Sequence, residues 1–175
     1  TLLVSPSRQA LSEVCAALNA QAAAAAAASD APSSPPVASS AAPLLILTPN
    51  ARTQVGEERQ RVLLNPALTS GTALAHFFIL GQLLGVAIRC QTALDIDLSP
   101  SFWRALLGYE LSAERDLREF DTLAYRTLEC CVSDAFSREE WEEIFAGQTW
   151  TTVLSDGKTQ VELRRGGRTQ RVRWE

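Results

Sequence analysis

The sequence predicts a mainly helical α+β chain with short β strands and a C-terminal β hairpin. Three patterns support this prediction: an apolar pattern of helical period over 73–89, a second, separately capped helical pattern after Ser99, and alternating apolar residues on both sides of Asp156 and Gly157. With 175 residues, of which 46% are hydrophobic, the chain is long enough to build one core.

The first 28 residues predict a helix. Ser5 and Pro6 can start it, and its larger apolar residues share one face: Leu11, Val14, Cys15 and Leu18. The alanine run 22–28 can prolong this helix, although alanines alone have little to pack with. We therefore assign residues 1–28 to an N-terminal helix of the domain.

The segment 29–43 is rich in serine, proline and alanine, and its prolines prevent a continuous helix. We predict a flexible insertion that acts as a tether. Pro32 and Pro35 also satisfy the PxxP pattern of proline-recognition ligands, but that pattern is weak and no flanking arginine strengthens it.

The helical pattern over 73–89 is the most informative one in the chain. Its apolar residues surround the helix, so we expect the helix to lie inside a core. Gly81 and Gly85 lie about one turn apart on one face, where their missing side chains let another element approach closely. The longest apolar segment is shorter than the about 20 residues that a membrane span needs, so we predict no membrane association.

An extended segment and a second helix follow. Apolar residues alternate with aspartates in the order Leu94, Asp95, Ile96, Asp97 and Leu98, as in a half-exposed strand. Ser99 suits an N-cap, Pro100 suits the first helical turn, and Gly108 can end the helix in a left-handed conformation. The apolar stripe of this helix comprises Phe102, Trp103, Leu106 and Leu107.

Shorter elements are predicted on both sides of these helices. Apolar runs indicate strands at 44–47 and 62–64, the second of which ends before Asn65 and Pro66. Asp121 can cap a helix with an apolar side formed by Ala124, Leu128 and Cys131. Ser137 and Glu140 form a capping-box pattern before a helix that carries Trp141, Ile144 and Phe145.

This order of residues resembles the N-terminal lobe of HECT-type ubiquitin ligases, in which a helix with the pattern LG..LG.AIR precedes a segment with the pattern LDL.L.P..W. The matching residues are Leu80, Gly81, Leu84, Gly85, Ala87, Ile88, Arg89, Leu94, Asp95, Leu98, Pro100 and Trp103. The resemblance extends over about 44–175 and is greatest to the large HERC-type members, whose first helix resembles 11–18.

Two departures from the family pattern bear on its interpretation. The segment SAERDL, at 112–117, has one residue more than the family usually has, which we interpret as a loop adjustment. The chain also starts at Thr1 without methionine and ends where the family continues. We therefore expect 44–175 to be the first part of an incomplete lobe, without the subdomain that docks the conjugating enzyme and without the catalytic lobe.

The resemblance implies that the parent protein is a ubiquitin-protein ligase. It would take ubiquitin from a conjugating enzyme as a cysteine thioester and deliver it to lysines of protein substrates. The present residues would be the structural platform, inactive on their own. We expect a cytoplasmic protein, with the nucleus as a second location.

No catalytic, cofactor-binding or metal-binding residue is assigned from the sequence. Cys15 and Cys131 fall on apolar helix faces, Cys90 follows the core helix and Cys130 neighbours Cys131, so reduced structural thiols are expected. None matches the catalytic position of the family. The single histidine, His76, has no second ligand or nucleophile at a cooperating spacing.

Charged residues offer weaker signals. The net charge of −4 argues against a dominant nucleic-acid function. The acidic segment 110–143 and the five arginines of the last hairpin region (Arg164, Arg165, Arg168, Arg171 and Arg173) are interpreted first as solvated faces. Asp95 and Asp97 are weak evidence for acid–base chemistry, and Arg89 suits a structural role at a helix end.

Two alternative functions remain at this point. One is a non-catalytic interaction module derived from a truncated lobe. The other is an unrelated helical adaptor that uses the acidic surface or the arginines of the hairpin.

Overall fold

The computed structural model describes residues 6–29, 42–133 and 136–173. Its elements, in chain order, are α1 (Pro6–Ser29), β1 (Leu45–Leu47), α2 (Pro49–Thr53), β2 (Val62–Leu64), α3 (Gly71–Arg89), α4 (Pro100–Leu106), a π-helical turn (Ala113–Leu117), α5 (Arg118–Phe120), α6 (Thr122–Val132), α7 (Arg138–Ile144), β3 (Thr151–Val153), β4 (Gln160–Glu162) and a 3₁₀ turn (Gly167–Thr169). The predicted α+β class is confirmed. Most of the predicted insertion 29–43 lies outside the described residues.

A small apolar core joins α1 to the first sheet. Strands β1 and β2 pair antiparallel, with Leu45 opposite Leu64. The core comprises Ala22, Leu45, Val62, Leu80 and Leu98. The expectation that the alanine run has little to pack with was wrong for Ala22, which is fully buried where α1 contacts β1, whereas Ala23, Ala24 and Ala27 are exposed. Val14, predicted on the buried face of α1, is 40% exposed.

The backbone of Val62 fixes the extended segment before α4. Val62 N donates to Asp97 O at 2.8 Å, and Ser99 N donates to Val62 O at 3.0 Å. The predicted alternation is confirmed, since Leu98 is buried while Asp95 and Asp97 are exposed. The start of α4 is therefore attached directly to the edge of the sheet.

Most helix caps follow the sequence pattern. Asp121 Oδ1 accepts from Ala124 N at 3.0 Å, and both hydrogen bonds of the Ser137–Glu140 capping box are present. Ser99 is the N-cap of α4 as predicted, but its hydroxyl pairs with the Ser101 hydroxyl at 2.8 Å instead of a backbone amide.

The segment 112–117 is helical and not a loop. Ser112 caps a π-helical turn over Ala113–Leu117 that continues directly into α5. A π turn holds one residue more than an α turn, so a helical segment can accommodate an additional residue without a break. The predicted loop adjustment is therefore replaced by a wider helical turn.

The side chain of Asn50 in α2 connects three distant backbone groups. Its amide nitrogen donates to Glu57 O at 3.1 Å and to Glu119 O at 3.0 Å, and its oxygen accepts from Thr122 N at 2.8 Å. Asn50 is 1% exposed, so these groups have little water to bond with instead. The residue thus holds the loop after α2 and the junction of α5 and α6 together.

We expect Asn50→Ala to lower the free energy of unfolding by about 3 kcal/mol, because the buried Thr122 amide and two carbonyls lose their partner. Urea denaturation followed by tryptophan fluorescence measures this loss. The matched control is Gln9→Ala, which removes one exposed side-chain hydrogen bond to Glu13 and should change stability by less than about 0.5 kcal/mol. Equal effects of the two substitutions would contradict the role of Asn50.

Candidate functional site

Helix α3 is covered on one face within the part of the chain that the structure describes. Its buried residues are Ala73, Leu80, Leu84 and Ala87. Its large apolar residues on other faces are exposed: Leu74, Phe78, Ile79, Val86 and Ile88. The expectation of a helix enclosed on all sides was therefore wrong for these residues, because β1, β2 and the segment before α4 supply a covering layer on one side.

The two glycines of α3 face open space. A Cβ atom built on Gly81 or Gly85 meets no described atom within 4 Å beyond the helix itself. Close approach by another element was expected at this face, and no described element makes it. The face of α3 that carries Gly81 and Gly85 is therefore open within the described structure.

Helices α3 and α4 carry large apolar residues that are exposed. We call them together the α3–α4 surface and define it by Leu74, Phe78, Ile88, Trp103, Leu106 and Leu107. Each is more than a third exposed. A groove of about 320 Å³ runs between the helices over Gly81 and Gly85, and a second one of about 300 Å³ lies between Ile88, Leu94 and Trp103. Exposed large apolar side chains beside such grooves are a common feature of interaction sites.

By length and composition, α3 could also cross a membrane, and the expectation that it is too short was wrong. Its 19 residues span about 28 Å, close to the hydrocarbon thickness of a bilayer. The helix is longer than its unbroken apolar run because it includes the polar residues His76 and Gln82. Core helices of globular proteins have the same length and composition.

A partly buried ion-pair cluster around the buried carboxylate of Asp116 fixes the end of α4. Arg104 Nε donates to Asp116 Oδ1 at 2.6 Å, and an Arg104 amino group also pairs with Glu119. Ser112 N donates to Asp116 Oδ2 at 2.7 Å. Burial alone raises the pKa of the Asp116 carboxyl, but the hydrogen bonds from Ser112, Arg115 and Arg104 outweigh it and hold that pKa below its ordinary value.

The four cysteines are free thiols at separate positions, apart from the neighbours Cys130 and Cys131. Cys15 is buried, and burial raises the pKa of its thiol. Burial and the adjacent Cys130 raise the pKa of Cys131. Nucleophilic cysteines need the opposite shift. Among the described residues, no group of three or more His, Cys, Asp or Glu side chains is placed to hold a metal ion.

Four further residues were considered for chemistry from the sequence: His76, Arg89, Asp95 and Asp97. His76 and Arg89 are exposed on α3. Asp97 pairs with Arg61 at 3.4 Å, while the backbone carbonyl of Asp95 accepts from the Asn19 side chain at 2.7 Å. The two aspartates therefore serve local structure.

The arginines of the hairpin region have different environments. Arg164 lies over the ring of Trp150 at 4.3 Å, and Arg168 pairs with Glu162 at 3.7 Å. Arg165 and Arg171 are exposed. In the acidic segment, Arg138 pairs with Glu142 along α7. These pairings are typical of solvated surfaces.

The described residues thus form a mainly helical α+β unit with an exposed, grooved apolar surface. The chain belongs to the HECT family, since the family model for the HECT domain (ubiquitin-transferase) matches residues 39–175. No solved structure matches the chain.

Curated relatives are similar over about half of this chain. The human protein "Probable E3 ubiquitin-protein ligase HECTD4" is 45% identical over 84 residues, which is 47% of this chain. The mouse and human "E3 ubiquitin-protein ligase HERC2" are 43% and 42% identical over 79 residues, or 45% of this chain. The aligned part is 2% of the length of each relative. The predicted HECT membership and HERC-like character are thus confirmed.

The Asp116 cluster should make stability depend on pH. Because the pKa of Asp116 is lower in the folded chain, its contribution is complete above the unfolded carboxyl pKa of about 3.9 and is lost as pH falls through the folded value. We expect Asp116→Asn to cost about 3 kcal/mol at pH 7 and markedly less at pH 3. Urea unfolding of both proteins at both pH values measures the difference.

The matched control for this experiment is Asp97→Asn, because the Asp97 side chain is 57% exposed and its ion pair with Arg61 is long. Its effect on the free energy of unfolding should be small at both pH values. A pH-independent cost of Asp116→Asn would contradict the electrostatic role of the cluster.

Proposed function

We propose that this chain is the first part of the N-terminal lobe of a ubiquitin-protein ligase and serves as its structural platform. The parent would accept ubiquitin from a conjugating enzyme on a cysteine outside this chain and transfer it to lysines of protein substrates. The HECT family match and the ligase names of the relatives support this proposal. We place the parent in the cytoplasm, with the nucleus as a second location.

The α3–α4 surface is the observation that carries the proposal. Ile88 is 72% exposed, Leu107 71% and Phe78 68%, although each is large and apolar. Leaving such side chains in water forgoes about 25 cal/mol for each Å² of apolar area that could be buried. A platform whose remaining layers come from elsewhere in the parent explains why this surface is apolar and grooved.

The chemistry of ubiquitin transfer also supports a role in positioning. A thiolate attacks the thioester carbonyl of the charged conjugating enzyme, and a lysine amine later attacks the new thioester. The raised thiol pKa values of Cys15 and Cys131 disfavour the first step at these two residues. Its contribution is then to hold the docking and catalytic parts at a distance that permits transfer.

The direct test is thioester formation by the full-length protein with activating enzyme, conjugating enzyme, ubiquitin and ATP. We expect a ubiquitin adduct that reducing agent removes. Serine substitution of all four cysteines in this chain (Cys15, Cys90, Cys130 and Cys131) should leave the adduct in place. Loss of the adduct in that variant would refute the platform role, and no adduct in either protein would favour the non-catalytic interaction module.

The platform role also predicts that Ile88→Asp destabilises the full-length protein, because a carboxylate would be buried where α3 meets the covering part. We expect a loss of about 2 to 4 kcal/mol in the unfolding of this domain and a lower thioester yield. Differential scanning fluorimetry and the thioester assay measure the two effects.

Gln82→Asp is the matched control, because Gln82 lies on the same helix opposite the buried face and is already polar. It should change stability by less than about 0.5 kcal/mol. If Ile88→Asp were equally mild in the full-length protein, the α3–α4 surface would be open to solvent there too, and its platform role would fail.

A further inference from the structure

Lys158 is the only lysine in the chain, while the other fifteen of its sixteen basic residues are arginine. Lysine is ordinarily among the commonest residues of globular proteins. The guanidinium of arginine keeps its proton in proteins and does not act as an acceptor for acyl transfer. The chain therefore presents a single side-chain amine.

This lysine lies in the turn that joins β3 to β4. Asp156 Oδ1 accepts from Lys158 N at 3.0 Å and from Thr159 N at 2.9 Å, and the Thr159 hydroxyl donates to the other Asp156 oxygen. Gly157 has φ +72°, which lets the chain reverse tightly. The turn therefore has a defined conformation fixed by backbone groups of Lys158 and its neighbours.

Helix α2 anchors the same turn to the rest of the fold. Arg52 Nη2 donates to Ser155 O at 2.5 Å, and the Arg52 guanidinium fills the space beside Gly157. Arg52 is itself in the short helix that carries Asn50. Helix α2 therefore positions both the turn that carries Lys158 and the junction of α5 and α6.

The side chain of Lys158 is available for reaction. The residue is exposed, and within the described part of the chain its ammonium group makes no ion pair and no hydrogen bond. The lysine side chain has four methylenes, so an anchored turn can present its amine well clear of the hairpin. By contrast, Arg52 and Arg104 are both held by structural contacts.

We propose that Lys158 is the acceptor site in this chain for ubiquitin transferred by the parent protein itself, an inference that rests on the proposed function. The neutral Nζ attacks the carbonyl carbon of the ubiquitin thioester, a C–N isopeptide bond forms, and the C–S bond breaks. The cysteine leaves as thiolate, and the proton lost by the amine passes to water. Within residues 1–175 the modification is confined to Lys158, because this chain has no second side-chain amine.

The test uses the full-length protein with activating enzyme, conjugating enzyme, ubiquitin and ATP, followed by reducing agent, trypsin and mass spectrometry. Ubiquitin leaves a Gly-Gly remnant on a modified lysine, and trypsin does not cleave there. The expected product is the peptide from Glu139 to Arg164 with Gly-Gly on Lys158, in place of two peptides divided after Lys158. Lys158→Arg should abolish isopeptide-linked ubiquitin within residues 1–175 while thioester formation stays at the wild-type level.

Arg165→Lys is the matched control, because it is an equally conservative exchange of an exposed basic residue in the same region. This variant should keep the modification at Lys158. A protein that forms the thioester but shows no Gly-Gly on Lys158, or a Lys158→Arg variant that keeps reductant-resistant ubiquitin on this segment, would overturn the acceptor site alone. Failure to form any thioester would instead overturn the proposed function, and with it modification by the protein's own activity.

Discussion

The hydrogen bonds of Asn50 are the constraint on which the arrangement of the second half of the described chain depends. They connect α2 to Thr122, 72 positions later, and to Glu119, 69 positions later. The apolar core involves α1, the first sheet, α3 and the segment before α4, but it does not extend to α5 or α6. Those helices are placed by buried polar contacts, which contribute only about 1 kcal/mol each but are strongly directional. Removing the amide of Asn50 therefore affects orientation more than it affects apolar burial.

Elements with local signals were predictable from the sequence, and contacts between distant polar residues were not. The helix after Ser99, the capping box at Ser137 and the turn at Asp156 each depend on residues within a few positions of one another. The Arg104–Asp116 pair and the Asn50 contacts leave no pattern in the sequence. Nothing in their neighbouring residues distinguishes Arg104 or Asn50 from the other arginines and asparagines of the chain. One local signal was overlooked: the Thr48–Pro49 pair marks the start of α2, with Thr48 as N-cap and proline in the first turn.

The burial of α3 was mispredicted for a different reason. The apolar pattern predicted burial on all sides, whereas the described residues cover only one side of α3. Helix α3 also has the length and composition of a membrane-spanning helix. Small residues spaced like Gly81 and Gly85 allow close packing between helices, both in globular proteins and within membranes. Under the proposed platform role, the covering element is another part of the parent protein.

Three of the arginines perform structural tasks in this fold. Arg104 contacts two carboxylates at once, Arg52 reaches a backbone carbonyl of the hairpin turn, and Arg164 lies over an indole ring. A planar guanidinium with several donors suits all three tasks, and a point-charged ammonium does not. Lys158 performs none of them: its backbone amide holds the turn, and its side chain makes no hydrogen bond or ion pair within the described chain. The chain's one side-chain amine is therefore also a group without a structural hydrogen bond or ion pair.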